Sequence, residues 1–270
     1  MAELVAKTMV VLKPFEFLGV SLIAFYKELK NMLLYFFDVL YALFTPPFRG
    51  KETMQQLYFI GVKSAPIILF SLSLAASVAI LEYAYHMRLV LHTAALVPGF
   101  VSLLILRELG PVITGLLLTS RIGAGITAEL GTMQITEQID ALKLLSVEPV
   151  RYLVIPRFIA SIFASMALVV LGNATCLFFG MLVSISHLDV TMGSFISAVN
   201  QFAGFKDFTL AIVKAGVFGS VIPIISCYYG FNCKPGAEGV GTATTQSVVA
   251  NAVTIIILDF ILTYLFSYLY

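Results

Sequence analysis

The stretch Arg107–Arg157, RELGPVITGLLLTSRIGAGITAELGTMQITEQIDALKLLSVEPVRYLVIPR, decides how the rest of the chain is read. It begins inside a hydrophobic run that carries Arg107-Glu108, passes through a short polar segment around Thr136–Leu145, and ends where a second hydrophobic run begins at Ile155. The order is membrane helix, docking element, membrane helix. From about Ile135 to Leu145, Ile135, Ile139 and Leu142 recur at helical spacing while Glu137, Asp140 and Lys143 fall on another face. Such a helix is too short to stand alone, so its apolar edge must bury against the protein's own helices or in a partner's groove, and the pattern leaves both open.

Outward from this stretch, the composition is that of a polytopic membrane protein. Of 270 residues, 60% are hydrophobic and 11% charged, and the net charge of +1 with scattered basic residues gives no nucleic-acid footprint. Five runs are long and apolar enough to cross a bilayer: Ser64 to Tyr85, Ala94 to Ser120, Ile155 to Ser186, Leu210 to Tyr229 and Val248 to Tyr268. Pro66, Pro98, Pro111 and Pro223 lie in or at the ends of these runs and blur their boundaries. Residues 15–44 are rich in Phe, Tyr and Leu, but Lys27, Glu28, Lys30 and Asp38 interrupt them. They read as one or two amphipathic helices on the membrane surface, closed by Thr45-Pro46-Pro47. The run Thr8–Leu12 is too short for a removable signal peptide.

Basic residues set the expected orientation. With the N-terminus inside, the cytoplasmic segments hold Lys7, Lys13, Lys27, Lys30, Arg49, Lys51, Lys63, Arg121, Lys143, Arg151, Arg157 and Lys234, against only Arg88 and Lys206 on the far side. The C-terminus is then expected outside.

Four ionisable residues fall within spans: Arg107, Glu108, Lys214 and Asp259. Each would cost ~2.5–3.5 kcal/mol at the bilayer centre unless paired or hydrated, so they are expected to face the helix bundle. They line a substrate path or tie helices together, with Lys214 and Asp259 the best candidates for a pair. Other chemistry finds little support. Gly123-Ala-Gly125-Ile-Thr-Ala128 follows a membrane helix rather than a strand, and no GxxxxGK[ST], HExxH or GxSxG occurs, so nucleotide hydrolysis or intramembrane catalysis by this chain is not expected. His86, His92 and His187 are scattered. Cys176, Cys227 and Cys233 lack CxxC spacing and read as structural thiols, so no metal or cofactor is expected here.

The run Leu106-Arg107-Glu108-Leu109-Gly110-Pro111-Val112, with Arg121-Ile-Gly123, Ala128-Glu129-Leu130-Gly131-Thr132-Met133, Thr136-Glu137-Gln138-Ile139-Asp140-Ala141-Leu142 and Pro156-Arg157, closely resembles the MlaE/YrbE permeases of MCE-associated ABC lipid transporters. Lys234-Pro235-Gly236-Ala237-Glu238-Gly239-Val240-Gly241, Ala243-Thr244-Thr245 and Leu258-Asp259 resemble the same family. The resemblance implies an all-α integral membrane protein. Its five transmembrane helices follow an N-terminal amphipathic segment (residues 1–60), residues 61–270 forming the permease domain, and a cytoplasmic coupling helix lies between the second and third spans. Thr136, Glu137, Gln138, Asp140 and Leu142 would meet a separate ATPase subunit that holds ATP and Mg. Arg107 and Lys214 would face a phospholipid phosphate, with Glu108 or Asp259 balancing the charge. Implied partners are a second copy of the chain, the ATPase and an MCE-domain ring, with a STAS-domain subunit common but not universal. The implied location is a bacterial inner membrane, N-terminus cytoplasmic and C-terminus periplasmic. A competing class, an ion-coupled secondary transporter, would use Glu108, Lys214 and Asp259 as a charge relay. A structural anchor would tolerate loss of all four charges, and a sterol is a variant cargo within the leading class.

Overall fold

The computed structural model describes residues 23, 26–44, 49–92, 96–188 and 190–269. Thr8–Leu12, most of the amphipathic stretch before residue 26, Thr45-Pro46-Pro47, Ala94 and Tyr270 lie outside the described residues. The chain divides into two compact units, Met1–Pro46 and Pro47–Tyr270.

In the first unit, residues 26–43 form helix α1. Tyr26, Leu29, Leu33, Phe37, Tyr41 and Phe44 recur every three or four residues and are all exposed, as are Lys27, Glu28, Lys30 and Asp38. An apolar stripe left uncovered beside a charged face is the surface that a lipid interface would cover.

The second unit is all helical among the described residues. Five helices are long and apolar enough to cross a membrane: α2 (Gly50–Val90), α3 (Val97–Ile135), α5 (Val150–His187), α7 (Phe205–Phe231) and α8 (Ala237–Tyr268). A short α4 (Gln138–Leu144) joins α3 to α5, and α6 (Met192–Phe202) joins α5 to α7. All five expected spans are present, and most run past their apolar stretches. A turn at Lys63-Ser64 interrupts α2, and the helix resumes at Ala65. Helix α6 had no counterpart in the sequence reading. It starts where the Thr191 side chain accepts the Ser194 amide at 3.2 Å, and its Phe202 ring packs on Phe100 at the start of α3, centroids 4.8 Å apart.

The prolines explain how the long helices are jointed. Pro66 and Pro98 occupy first turns, where a missing amide costs nothing. Pro111 and Pro156 each follow a π-helical turn, Ile105–Leu109 and Val150–Val154, and Gly110 N–H donates to Ile105 O five residues back. A wider turn keeps the proline ring clear of the preceding carbonyls and re-satisfies the backbone inside the bundle. A further π turn, Thr119–Gly123, gives α3 a second joint. Pro223 sits within α7 without ending it.

Packing runs from α2 through α5 and α7 to α8, with α3 against α7 and α8. No hydrophobic force drives helices together in lipid, so small residues that admit close approach carry the association. Gly219 of α7 lies against Ser165 and the Ser161 carbonyl of α5, and the Ser165 hydroxyl donates to Ala215 O at 2.7 Å. Between α3, α7 and α8, Thr127 Oγ1 lies 2.8 Å from Ser247 Oγ and 3.0 Å from Ser226 O, and Asn251 Nδ2 donates to Ser226 Oγ at 3.0 Å. All four side chains are buried.

Candidate functional site

The four intramembrane charges meet at one level of the bundle. Arg107 is ten residues in from Val97, Lys214 nine in from Phe205, and Asp259 nine short of Tyr268. At 1.5 Å per residue each lies about 14 Å from a helix end, the N-terminal end for Arg107 and Lys214 and the C-terminal end for Asp259. Three separate helices therefore deliver charge to one depth, which a random scatter of polar residues would not do.

Lys214 is the hub. Its side chain is 0% exposed, and Nζ lies 2.9 Å from Glu108 Oε2 and 2.6 Å from Asp259 Oδ1 while donating to Arg107 O at 2.8 Å. Two of the ammonium hydrogens go to Glu108 and the Arg107 carbonyl, and Asp259 adds an ion-pair contact. The carbonyl is also accounted for: Pro111, four residues on, has no N–H to give it, and Lys214 supplies the missing donor. The expected Lys214–Asp259 pair is present, and Glu108 joins it from α3. Thr263 Oγ1 donates to the other Glu108 oxygen at 3.1 Å.

Arg107 turns the other way. Its Nε–H donates to Asp207 Oδ1 at 2.6 Å, with the arginine side chain 36% exposed and the aspartate 4%. The second Asp207 oxygen accepts the Gly204 amide at 2.7 Å, which ties the first turn of α7 to Arg107. Three carboxylates thus face two cations, and Arg107 is the more accessible cation. Asp207 lies three residues before the apolar run that begins at Leu210, so hydropathy does not mark it. An acid three residues after Gly204 was the available sign of a helix start. A second pair also went unread: Arg157 of α5, buried, holds Glu129 of α3 at 2.8 Å and donates to Leu153 O at 3.0 Å.

At the far end of α3 the chain reverses at Glu137, a non-glycine residue with φ 59°, and this confines the expected Ile135–Leu145 helix to Gln138–Leu144 because Ile135 ends α3. Ser146, φ 58°, closes α4: its N–H reaches Lys143 O at 2.9 Å and Val147 N–H reaches Leu142 O at 3.0 Å. The helix divides its faces. Ile139 is buried and Leu142 half-buried in the chain's own packing, while Thr136, Glu137, Gln138 and Asp140 are exposed, along with Leu144 and Leu145. Asp140 pairs with Lys143 at 2.8 Å, and Gln138 donates to Thr136 at 3.0 Å. One edge therefore anchors α4 to this chain, and an acidic edge with two bare leucines is presented outward.

Residues 53–265 match the family model described as Permease MlaE. The chain belongs to the MlaE permease family. Among the proteins it is similar to, a probable ABC transporter permease of Rickettsia conorii is 36% identical over 92% of this chain and 95% of the relative. A probable ABC transporter permease of Pyropia yezoensis is 33% identical over 85% of this chain and 87% of the relative. Arabidopsis thaliana protein TRIGALACTOSYLDIACYLGLYCEROL 1, chloroplastic, is 36% identical over 80% of this chain and 61% of the relative. With five apolar helices, this MlaE-family chain is a multi-pass membrane permease of the ABC type.

Proposed function

We propose that this permease moves a phospholipid, or a related lipid, between the inner membrane of a diderm bacterium and an MCE-domain ring that leads toward the outer membrane, and so maintains outer-membrane lipid asymmetry. The observation that carries the reading is the accessible Arg107 guanidinium beside a neutralised Lys214 hub at membrane depth. An arginine fork suits a phosphate oxygen pair, and a cation at that depth is retained only where a ligand or partner uses it.

In this reading two copies of the chain enclose the lipid path, N-termini cytoplasmic and C-termini periplasmic. Each presents α4 to an ATPase subunit that holds ATP and Mg, and a STAS-domain subunit can sit on that ATPase. Closure of the ATPases displaces α4 through Glu137, Asp140 and the exposed leucines. The push reaches the charge cluster along α3, because α4 and Arg107-Glu108 are parts of one jointed helix. Lys214, Glu108 and Asp259 hold α3, α7 and α8 in register while Arg107 meets the headgroup.

The test is purification of the tagged chain from its native membrane in mild detergent, with mass spectrometry of co-eluting proteins and lipids. The expected result is recovery of a Walker-motif ATPase, an MCE-domain protein and phospholipid, with the ATPase lost from the Glu137→Lys/Asp140→Lys variant. Recovery of the chain alone, transporting in liposomes on an ion gradient, would establish instead the relay reading that the contiguous Asp259–Lys214–Glu108 chain favours.

A further inference from the structure

Asp207 is the acid that the charge balance leaves over. Lys214 is enclosed by Glu108, Asp259 and the Arg107 carbonyl, so the one carboxylate facing Arg107 from α7 is Asp207. It is nearly fully buried, at 2.6 Å from Nε, and its other oxygen caps Gly204. A carboxylate and a phosphate oxygen are interchangeable acceptors for a guanidinium. The half-exposed side of this pair is the cation, so an arriving anion meets Arg107 before it meets Asp207.

We infer that Asp207 is the resident counter-ion of Arg107, which Arg107 exchanges for a lipid phosphate on loading and regains on release. Asp207 is thereby a specificity-determining and positioning residue, and this rests on the headgroup reading of Arg107 given above. An empty site keeps its arginine paired, so no unpaired charge is left in the bundle between cycles. Only an anion strong enough to displace a carboxylate is admitted, and neutral lipids such as diacylglycerol are discriminated against. Because Asp207 also closes the first turn of α7, with Phe202 two residues before Gly204 packed on Phe100, the exchange is felt at the α6–α7 junction.

Asp207→Asn separates the two jobs of the side chain, since the amide oxygen still accepts the Gly204 N–H while the charge is gone. The full chain, purified with the proteins that co-elute with it and placed in lipid nanodiscs, is titrated with headgroup-labelled phosphatidylglycerol, with diacylglycerol and with inorganic phosphate. The wild type, Asp207→Asn, Arg107→Gln and the double variant are compared. Removing a competing carboxylate is expected to tighten phosphatidylglycerol binding by roughly five- to thirtyfold, the range that one or two kcal/mol spans. The same variant should slow lipid release, lower the unfolding temperature of the lipid-free protein because Arg107 loses its counter-ion, and lose its gain in binding when Arg107→Gln is added. Inorganic phosphate should compete weakly. As a second readout on the unmutated protein, Arg107 Nε–H exchange should accelerate on phosphatidylglycerol and not on diacylglycerol. Unchanged or weaker binding by Asp207→Asn, with Arg107→Gln still impaired, overturns the exchange and leaves the headgroup reading standing. An Arg107→Gln variant that binds lipid normally overturns the headgroup reading itself. Equal competition by inorganic phosphate overturns the lipid as the source of the anion.

Discussion

Replacing Lys214 with Met removes the ammonium at nearly constant volume. It leaves Glu108 and Asp259, which lie 2.9 and 2.6 Å from Nζ, facing each other without a cation, and strips the Arg107 carbonyl of its 2.8 Å donor. Removing one partner of a buried ion pair costs ~3–5 kcal/mol, and a carbonyl orphaned in the bundle ~1–3 more, with the two not strictly additive. The carbonyl's share can be isolated. Pro111→Ala restores an N–H four residues after Arg107, so the Lys214→Met penalty should shrink by about 1 kcal/mol or more in the Pro111→Ala background. Neutralising the acids as well, in Lys214→Met/Glu108→Gln/Asp259→Asn, should recover most of the remainder. Unfolding free energies from steric trapping or pulse proteolysis in bicelles, read as double-mutant cycles, measure these terms. A Pro111/Lys214 coupling within ~0.5 kcal/mol of zero would refute the claim that lysine replaces the proline's missing amide.

Ser146→Gly should stabilise the α4 turn by about 1 kcal/mol, because Ser146 holds a left-handed φ of 58° that glycine adopts freely; backbone hydrogen exchange at Leu145–Val147 would report it. Gly219→Ala should destabilise by ~1–3 kcal/mol, since its Cβ would fall on Ser165 Oγ and within 2.7 Å of the Ser161 carbonyl. Adding Ser165→Ala should not rescue it, because the carbonyl stays; chemical unfolding in detergent decides. Thr127→Val should cost about 1–3 kcal/mol by leaving Ser226 and Ser247 short of a partner, and full recovery of stability on adding Ser247→Ala would contradict a three-helix network.

The spans were legible because a bilayer imposes a length and a polarity that a window of sequence reports directly, and all five apolar runs became helices. The Lys214–Asp259 pair was legible for a related reason: two opposite charges in apolar helices have few alternatives to each other. What stayed hidden lies at helix ends, where hydropathy fades. Helix α6, with Asn200 and Gln201 among its residues, has no membrane-length apolar run, and Asp207 stood three residues outside the span that it in fact begins. The reach of α2 back to Gly50 was hidden likewise, because Lys51 and Glu52 break the apolar signal and the run is interrupted by a turn at Lys63-Ser64.

The arrangement along α3 follows from these constraints rather than from any one motif. A helix that must both carry α4 at one end and present Arg107-Glu108 near the other cannot be a uniform rod, because Pro111 removes an amide between them. The π turn at Ile105–Leu109 and the Lys214 ammonium repair that gap, and the repair brings a charge into the bundle that then requires Glu108 and Asp259. The second joint, at Thr119–Gly123, sits beside the Thr127–Ser226–Ser247–Asn251 network, where hydroxyls and an amide bind α3 to α7 and α8 without charge. Neutral hydrogen bonds between membrane helices are worth ~0.6 kcal/mol on average, whereas removing one partner of a buried ion pair costs ~3–5 kcal/mol. The charged joint is therefore the costlier of the two to break, and substitutions at Lys214, Glu108 or Asp259 should destabilise α3 more than substitutions beside Thr119–Gly123.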